Sequence, residues 1–482
     1  MRFLLYYPRM SRKRVCAGNS PQGRADGKGV PWRRFRLGRT LRNVFTVGGL
    51  TAASRVLGLV REMLQSRLIG AGVEQSAFTL AFALPNMARK LFGEGALTAA
   101  FVPVFKGEVA AGEVESARRL ARAVLTLVFL ILGAVVALAL VGLTVALGLS
   151  AADVVSLSPR AVLTLKLVRI LFPYMIFICG AAFGMGVLNA LGRFVEGAFM
   201  PAFLNVVWIA ALGLLCFFPG LSLAARVTVV GWAILAGGVA QMAFLFRCMR
   251  RRGYGFRFAP FASFRDEKFR LVWRNTLLGA VGAGAVQVNY LLDQVLGQVA
   301  APWAAGVIGY AERLMDLPLG VVGVAFGTVL LPTFAGHFSA GDAAGARRAL
   351  KRAVLQMTAV MLPASVVTFF CAPLIVRLVY EGHAFDATAT LRVARALSVY
   401  GLGLCFFAIQ KCLVPFFQAQ KDMKTPLRVT VQTVCLNATL NVLAIALLPT
   451  DWRHVGLAAS TSFCALVGCV LLARRLRVPA DR

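Results

Sequence analysis

The chain is a succession of long apolar runs broken by short polar ones. About twelve runs of roughly 18 to 30 residues recur, near 44–66, 76–104, 122–149, 160–190, 199–219, 225–247, 271–300, 304–335, 353–379, 391–417, 427–448 and 455–473. Each is long enough, as a helix, to cross a hydrocarbon core of roughly 30 Å. The predicted fold class is therefore an all-α polytopic membrane protein with about 12 transmembrane helices.

Composition agrees with this and excludes an ordinary soluble domain: 59% of the 482 residues are hydrophobic and only 15% charged, with mean hydropathy +0.75. A formal net charge of +32 would by itself suggest nucleic acid. Its placement argues otherwise. Lys and Arg collect in alternate loops: 106–122, Arg193, 247–274, 347–352, 421–428 and the tail RRLRVPADR. The intervening loops hold mainly Arg160 and Arg453 beside Glu74, Asp153, Glu381, Asp386 and Asp451. This asymmetry predicts a multi-pass protein with both termini cytoplasmic, and no nucleic-acid partner. The ten cysteines form no CxxC pair and His337, His383 and His454 lie far apart, so neither a disulfide framework nor a metal site is indicated.

An internal repeat divides the chain. FVPVFKGEVAAGEVESARR (101–119) matches LLPTFAGHFSAGDAAGARR (330–348), with Pro103 over Pro332, Phe105 over Phe334 and Gly112 over Gly341, an offset of 229 residues. A fainter echo sets LVRILFPY, ending at Tyr174, against VARALSVY, ending at Tyr400. An offset spanning an even number of helices leaves both copies in one membrane orientation, as parallel repeats. The expected organisation is a basic, disordered extension over 1–42, an N-lobe of spans 1–6 over 43–250, a basic cytoplasmic linker over 251–267, a C-lobe of spans 7–12 over 268–475, and a basic cytoplasmic tail over 476–482. The two lobes enclose a central cleft. The repeated basic loops 107–122 and 336–352 read as short amphipathic helices at the membrane surface, within reach of membrane lipids.

Several spans carry charge where charge is costly. On a helix, Ser54, Arg55, Gly58, Arg61, Glu62, Gln65 and Ser66 share an arc of about 140°, a polar stripe that faces a bundle interior or a wet cavity. Span 2 adds Asn86, Arg89, Lys90 and Glu94, and span 8 adds Glu312, Arg313 and Asp316, with Pro318 expected to break or kink it. Lys411 lies in span 10. Pairing within spans, Arg55 with Glu62, Arg89 with Glu94 and Arg313 with Asp316, is one reading. The other is an anion: guanidinium suits bidentate phosphate recognition, so an arginine-lined cleft in a bilayer points to a phosphate-bearing amphiphile.

The runs SRVLGLVRE…RLIGAG, AFALPNMARKLFGEGALTAAFVPVF, YAERLMDLPLGVVGVAFGTVLLPTF and FFQAQKDMKTP, in this order and spacing over about 43–475, closely resemble the MurJ (MviN) lipid II flippases of the multidrug/oligosaccharidyl-lipid/polysaccharide exporter superfamily. The resemblance implies a monomeric transporter, not an enzyme, in the cytoplasmic (inner) membrane. It would carry lipid II, the undecaprenyl-diphosphate-linked peptidoglycan precursor, from inner to outer leaflet by alternating access. It implies that Arg55, Arg61, Arg89 and Arg313 bind the diphosphate and headgroup, with Ser54, Glu62, Asn86, Glu94, Glu312, Asp316 and Lys411 in support or gating. No cofactor is expected; coupling to Na+ or to the membrane potential is, with Asp293, Asn437, Asn441 and Thr461 as sodium-site candidates. Asparagines also serve as interhelical hydrogen bonders. The chain departs from the family pattern at Ser76, where an aspartate is usual, and in lacking two further helices that many members carry. Two other substrates share this fold and remain open: another polyprenyl-linked glycan, and a cationic drug or ion in a multidrug antiporter, whose cleft would be richer in acids and aromatics. A membrane-embedded glycosyltransferase would need a catalytic acid or base in a sizeable outer loop, and these outer loops are short.

Overall fold

The computed structural model describes residues 37–93 and 95–476. Most of the expected N-terminal extension, Glu94 and residues 477–482 lie outside the described residues. The described chain is helical: α1 (Leu37–Ile69), α2 (Val73–Ala88), a π-turn at Arg89–Gly93, α3 (Ala96–Ala110), α4 (Val114–Ala151), α5 (Pro159–Leu171), α6 (Tyr174–Ala190), α7 (Phe194–Leu215), α8 (Leu223–Arg251), a 3₁₀ turn at Phe261–Arg265, α9 (Glu267–Ala300), α10 (Ala304–Ser339), α11 (Ala343–Phe370), α12 (Ala372–Tyr380), α13 (Ala387–Ala419), α14 (Lys424–Leu447) and α15 (Thr450–Arg474). Eight of the described segments are long and apolar enough to cross a membrane. The remaining spans are α1, the broken pair α2–α3, α9 and α10, and these carry most of the intramembrane charges singled out above, Lys411 of α13 excepted. Together they make the twelve spans of the expected fold.

Helices begin where the sequence supplies a cap. Ser158 and Ser222 accept from the backbone N–H three residues on, as do Asp342 and Asp386. Pro159 follows its cap at the first helical position, where a missing N–H costs nothing.

The repeat is reproduced bond for bond. Gly112 N–H donates to Val109 O and Glu113 N–H to Glu108 O; 229 residues on, Gly341 donates to Phe338 O and Asp342 to His337 O. Both glycines have positive φ, 80° and 73°, the left-handed helix end that favours glycine. A second pair of turns matches too: Gly192 to Asn189 O and Arg193 to Leu188 O, against Lys421 to Gln418 O and Asp422 to Phe417 O. The expected amphipathic surface helices do not form. Each basic stretch instead makes a three-residue turn and then the first turns of a long span, α4 or α11, because nothing between the cap and the apolar run breaks the helix.

Buried residues form two apolar clusters, one from Ile69 to Val272 and one of Ala71 with residues Ala300 to Leu472. Among the described residues α9 alone feeds both: Phe269 and Val272 pack in the first and Ala300 in the second. Its first turn is tied to the N-lobe by Lys268 Nζ, which donates to Glu108 at 2.6 Å and Glu113 at 3.3 Å. That hydrogen bond holds the Glu108 carboxyl below its ordinary range.

Pro318 does not break α10, which runs through both Pro318 and Pro332 for 36 residues. The break falls in span 2. Pro85 removes one N–H from α2, the chain loosens to a π-turn at Arg89, and the helix resumes only after Gly95. A Cβ on Gly95 would come within 2.4 Å of the Lys90 carbonyl, so the residue must be glycine. Irregular backbone at membrane depth is tolerated where it lines a cavity.

Candidate functional site

Such a cavity lies beside the break, with a volume of about 370 Å³ between α2, α6, α7 and α8 on one side and α9 and α10 on the other. Among the described residues, four cationic ones line it, Arg61, Arg89, Lys90 and Arg313, against two carboxylic ones, Glu312 and Asp316. Asn86 and Tyr290 are also in its wall.

The arginines are held by a network that crosses the lobes. Glu62, buried on α1, forms an ion pair with Arg61 of its own helix and a second, at 3.0 Å, with Arg313 of α10. One carboxylate thus serves two guanidinium groups. Arg61 also donates to Asn205 Oδ1 at 2.9 Å and lies 4.3 Å from the Trp208 ring centroid. Asn205 donates in turn to the Ser54 carbonyl, fixing α7 on α1. The Arg61 Nε–H is buried and unpaired, whereas the Arg313 side chain is 40% exposed. Arg89 donates through Nε and Nη2 to Asn86 Oδ1 at 3.1 and 3.0 Å. Glu312 accepts from Gln294 at 3.4 Å and Tyr400 at 3.5 Å.

Of the residues singled out in the sequence, Arg61, Asn86, Arg89, Glu312, Arg313 and Asp316 line this one cavity. Of the pairings expected within spans, Glu62 meets Arg61 and Arg313 rather than Arg55, and Arg313 meets Glu62 rather than Asp316; Arg89 with Glu94 falls outside the described residues. Ser54 contributes its backbone carbonyl rather than its hydroxyl. Arg55 is exposed at the edge between α1 and α10, donating to the Gly320 carbonyl at 3.2 Å. Lys411 lies against α10 near Gly323 and Leu319, outside the cavity wall. Sequence reasoning passed over Asn205 and Trp208; their signal is the one amide and the one indole in α7, which is apolar after Glu196 in its first turn.

Asp293, Asn437, Asn441 and Thr461 meet in the C-lobe. Asn441 Nδ2 donates to Asp293 at 2.6 Å and to Asn437 at 2.9 Å, and Asn437 donates to Thr461 at 3.2 Å. Asn289, from α9, donates to the second Asp293 oxygen at 3.2 Å. The oxygens Asn289 Oδ1 and Asn441 Oδ1 are buried with no donor. An oxygen-rich cluster with orphaned acceptors fits a hard cation.

The cavity is closed at the end of the bundle remote from the chain termini. There Ser66 Oγ donates to Tyr380 O, Ala384 N–H to Arg67 O, Tyr310 OH to Gly70 O, and Gly306 N–H to Ser76 Oγ. Gln298 joins at Ser76 O, at 2.6 Å. The departure at Ser76 therefore sits in this seam between lobes, fully buried.

A family model described as lipid II flippase MurJ matches residues 65–479. A probable lipid II flippase MurJ of Rhizobium tropici is 35% identical over 416 residues, covering 85% of this chain and 76% of that protein. One from Rhizobium meliloti (strain 1021) is 33% identical over 436 residues, covering 89% and 78%. Among solved structures, a lipid II flippase MurJ in an inward closed conformation superposes with TM-score 0.73 at 24% identity, over 90% of this chain and 87% of that one. With the matched model covering most of its length, the chain belongs to the lipid II flippase MurJ family.

Proposed function

We propose that this protein moves lipid II from the inner to the outer leaflet of the cytoplasmic membrane by alternating access, as a monomer with both termini in the cytoplasm. The observation that carries this reading is the excess of cations among the described residues of the cavity wall, with Arg61 and Arg313 drawn from different lobes onto one carboxylate. A diphosphate offers acceptors that two guanidinium groups can bind bidentately. It would compete with Glu62 for Arg313, so that binding loosens the ion pair joining the lobes. A cationic drug would meet four like charges, which disfavours the antiporter alternative. Another polyprenyl-diphosphate glycan would satisfy the same arginines, and the choice of lipid II rests on family membership. Nothing in the mechanism calls for covalent chemistry, so the protein acts as a transporter, not an enzyme.

For coupling, Asp293, Asn437, Asn441 and Thr461 would hold a sodium ion, whose charge would supply the electrical term of the cycle. The unpaired Asn441 Oδ1 supports this.

The test is complementation. The host's own flippase is depleted, and outward exposure of lipid II is read with an externally added probe. The wild type is expected to restore exposure, and Arg89→Ala and Arg313→Ala, at matched membrane levels, to lose at least roughly tenfold. Failure of well-folded wild-type protein would overturn the substrate; full activity in both variants would overturn the arginine site.

A further inference from the structure

The repeat places one groove in each lobe at the termini end, and the two grooves are filled differently. In the N-lobe it is walled by Arg118, Ala121, Arg122 and Leu125 of α4, and only about 10 Å³ of it is empty. Tyr254 and Phe256 of the lobe linker occupy it. Phe256 packs on Phe129 and Phe246, and Tyr254 on Phe105. Arg118 lies 5.9 Å from the Tyr254 ring centroid and forms an ion pair with Glu115, one turn earlier.

The same offset of 229 residues carries those four wall positions onto Arg347, Leu350, Lys351 and Val354 of α11, which wall the C-lobe groove. Here about 670 Å³ is empty between α11, α13 and α15, and the interior is apolar, with Phe406 and Leu413 in its floor. The counterpart of Glu115 is Ala344. The neighbouring acid, Asp342, is already engaged by Gly345 N–H and His337. Arg347 and Lys351 make no ion pair among the described residues. Among the described residues, the C-lobe groove therefore lacks two things that the N-lobe groove has: an apolar filler and an anion at the rim. The volume lies within the range of ligand sites, and the rim lies at the end of two membrane spans.

We propose that the groove binds an anionic phospholipid, one acyl chain lying where Tyr254 and Phe256 lie in the N-lobe, and the phosphate on Arg347 and Lys351. The charge comparison decides for an anionic lipid over a neutral one, since cations near a membrane surface favour anionic headgroups.

Native mass spectrometry of the purified full chain tests this, with added phosphatidylglycerol or phosphatidylcholine of identical acyl chains. The wild type is expected to retain phosphatidylglycerol roughly tenfold better. Arg347→Ala with Lys351→Ala should abolish that preference. Ala344→Glu, which restores the acid that the N-lobe has, should weaken it with the fold intact, as judged by an unchanged elution profile and melting temperature. Val354→Trp should exclude the lipid by filling the groove, whereas Arg118→Ala in the filled groove should leave retention unchanged. Equal retention of the two lipids by the wild type, or wild-type retention in the rim and groove variants, would overturn the proposal. Loss of a dimer peak instead of a lipid adduct in Val354→Trp would do so too, making the groove an interface between copies.

Discussion

At the scale of single residues, the cavity depends on side chains in its wall that hold its cations in place. Asn205 is the example: its amide accepts from Arg61 and donates to the Ser54 carbonyl. Asn205→Leu keeps the volume and removes both bonds, leaving a second Arg61 N–H without a partner beside the unpaired Nε. The expected cost is about 1–3 kcal/mol of stability, read as a fall in melting temperature in detergent, together with reduced flipping. An unchanged melting temperature would mean that water replaces the amide. The charged residues were legible in the sequence because charge inside an apolar span is costly and rare. The partners of Glu62 and Arg313 were not. The sequence suggested neighbours within a span, but Glu62 reaches Arg313 on another lobe, and only the packing of α1 against α10 decides that.

At the scale of elements, the span positions were legible because apolar runs of span length have one common solution in a bilayer, the helix. Helix interruptions were harder to read. Proline suggested a break at 318 and none appears, while the real break follows Pro85 and turns on Gly95, whose need for close backbone contact leaves no periodicity signal. The repeat gives a cleaner handle on backbone strain. Lys421 adopts φ 61°, a left-handed conformation that costs a side-chain-bearing residue about 1 kcal/mol, whereas its N-lobe counterpart is Gly192 at 76°. Lys421→Gly is therefore expected to raise stability by about that amount, and Gly192→Ala to lower it similarly. Thermal unfolding of the two variants side by side checks both signs; a destabilised Lys421→Gly would mean that the Lys421 side chain does more than occupy a turn.

At the scale of the whole molecule, the lobes were legible from the repeat, but the state in which they rest was not, because it depends on short contacts between residues more than two hundred positions apart. The seam remote from the termini is held by backbone carbonyls and small residues. Gly70 is its tightest point: a Cβ there would come within 2.3 Å of the Ala384 carbonyl. The loop carrying Ala384 cannot yield freely, since Ala384 N–H is bonded to Arg67 O. Gly70→Val should therefore prise the lobes apart at this end. Amide exchange over 66–76, 304–311 and 380–386 is expected to rise roughly tenfold or more, equivalent to about 1.4 kcal/mol of opening. Gly70 also has φ +79°, so backbone strain must be separated from the clash. Gly112 supplies that control, with φ +80° and nothing within 4 Å of an added Cβ. Gly112→Val should show the strain alone, with exchange at the seam unchanged. If both variants loosened the seam equally, the glycine would be there for its backbone; if only Gly70→Val does, the contact with Ala384 is what keeps this end of the cavity shut.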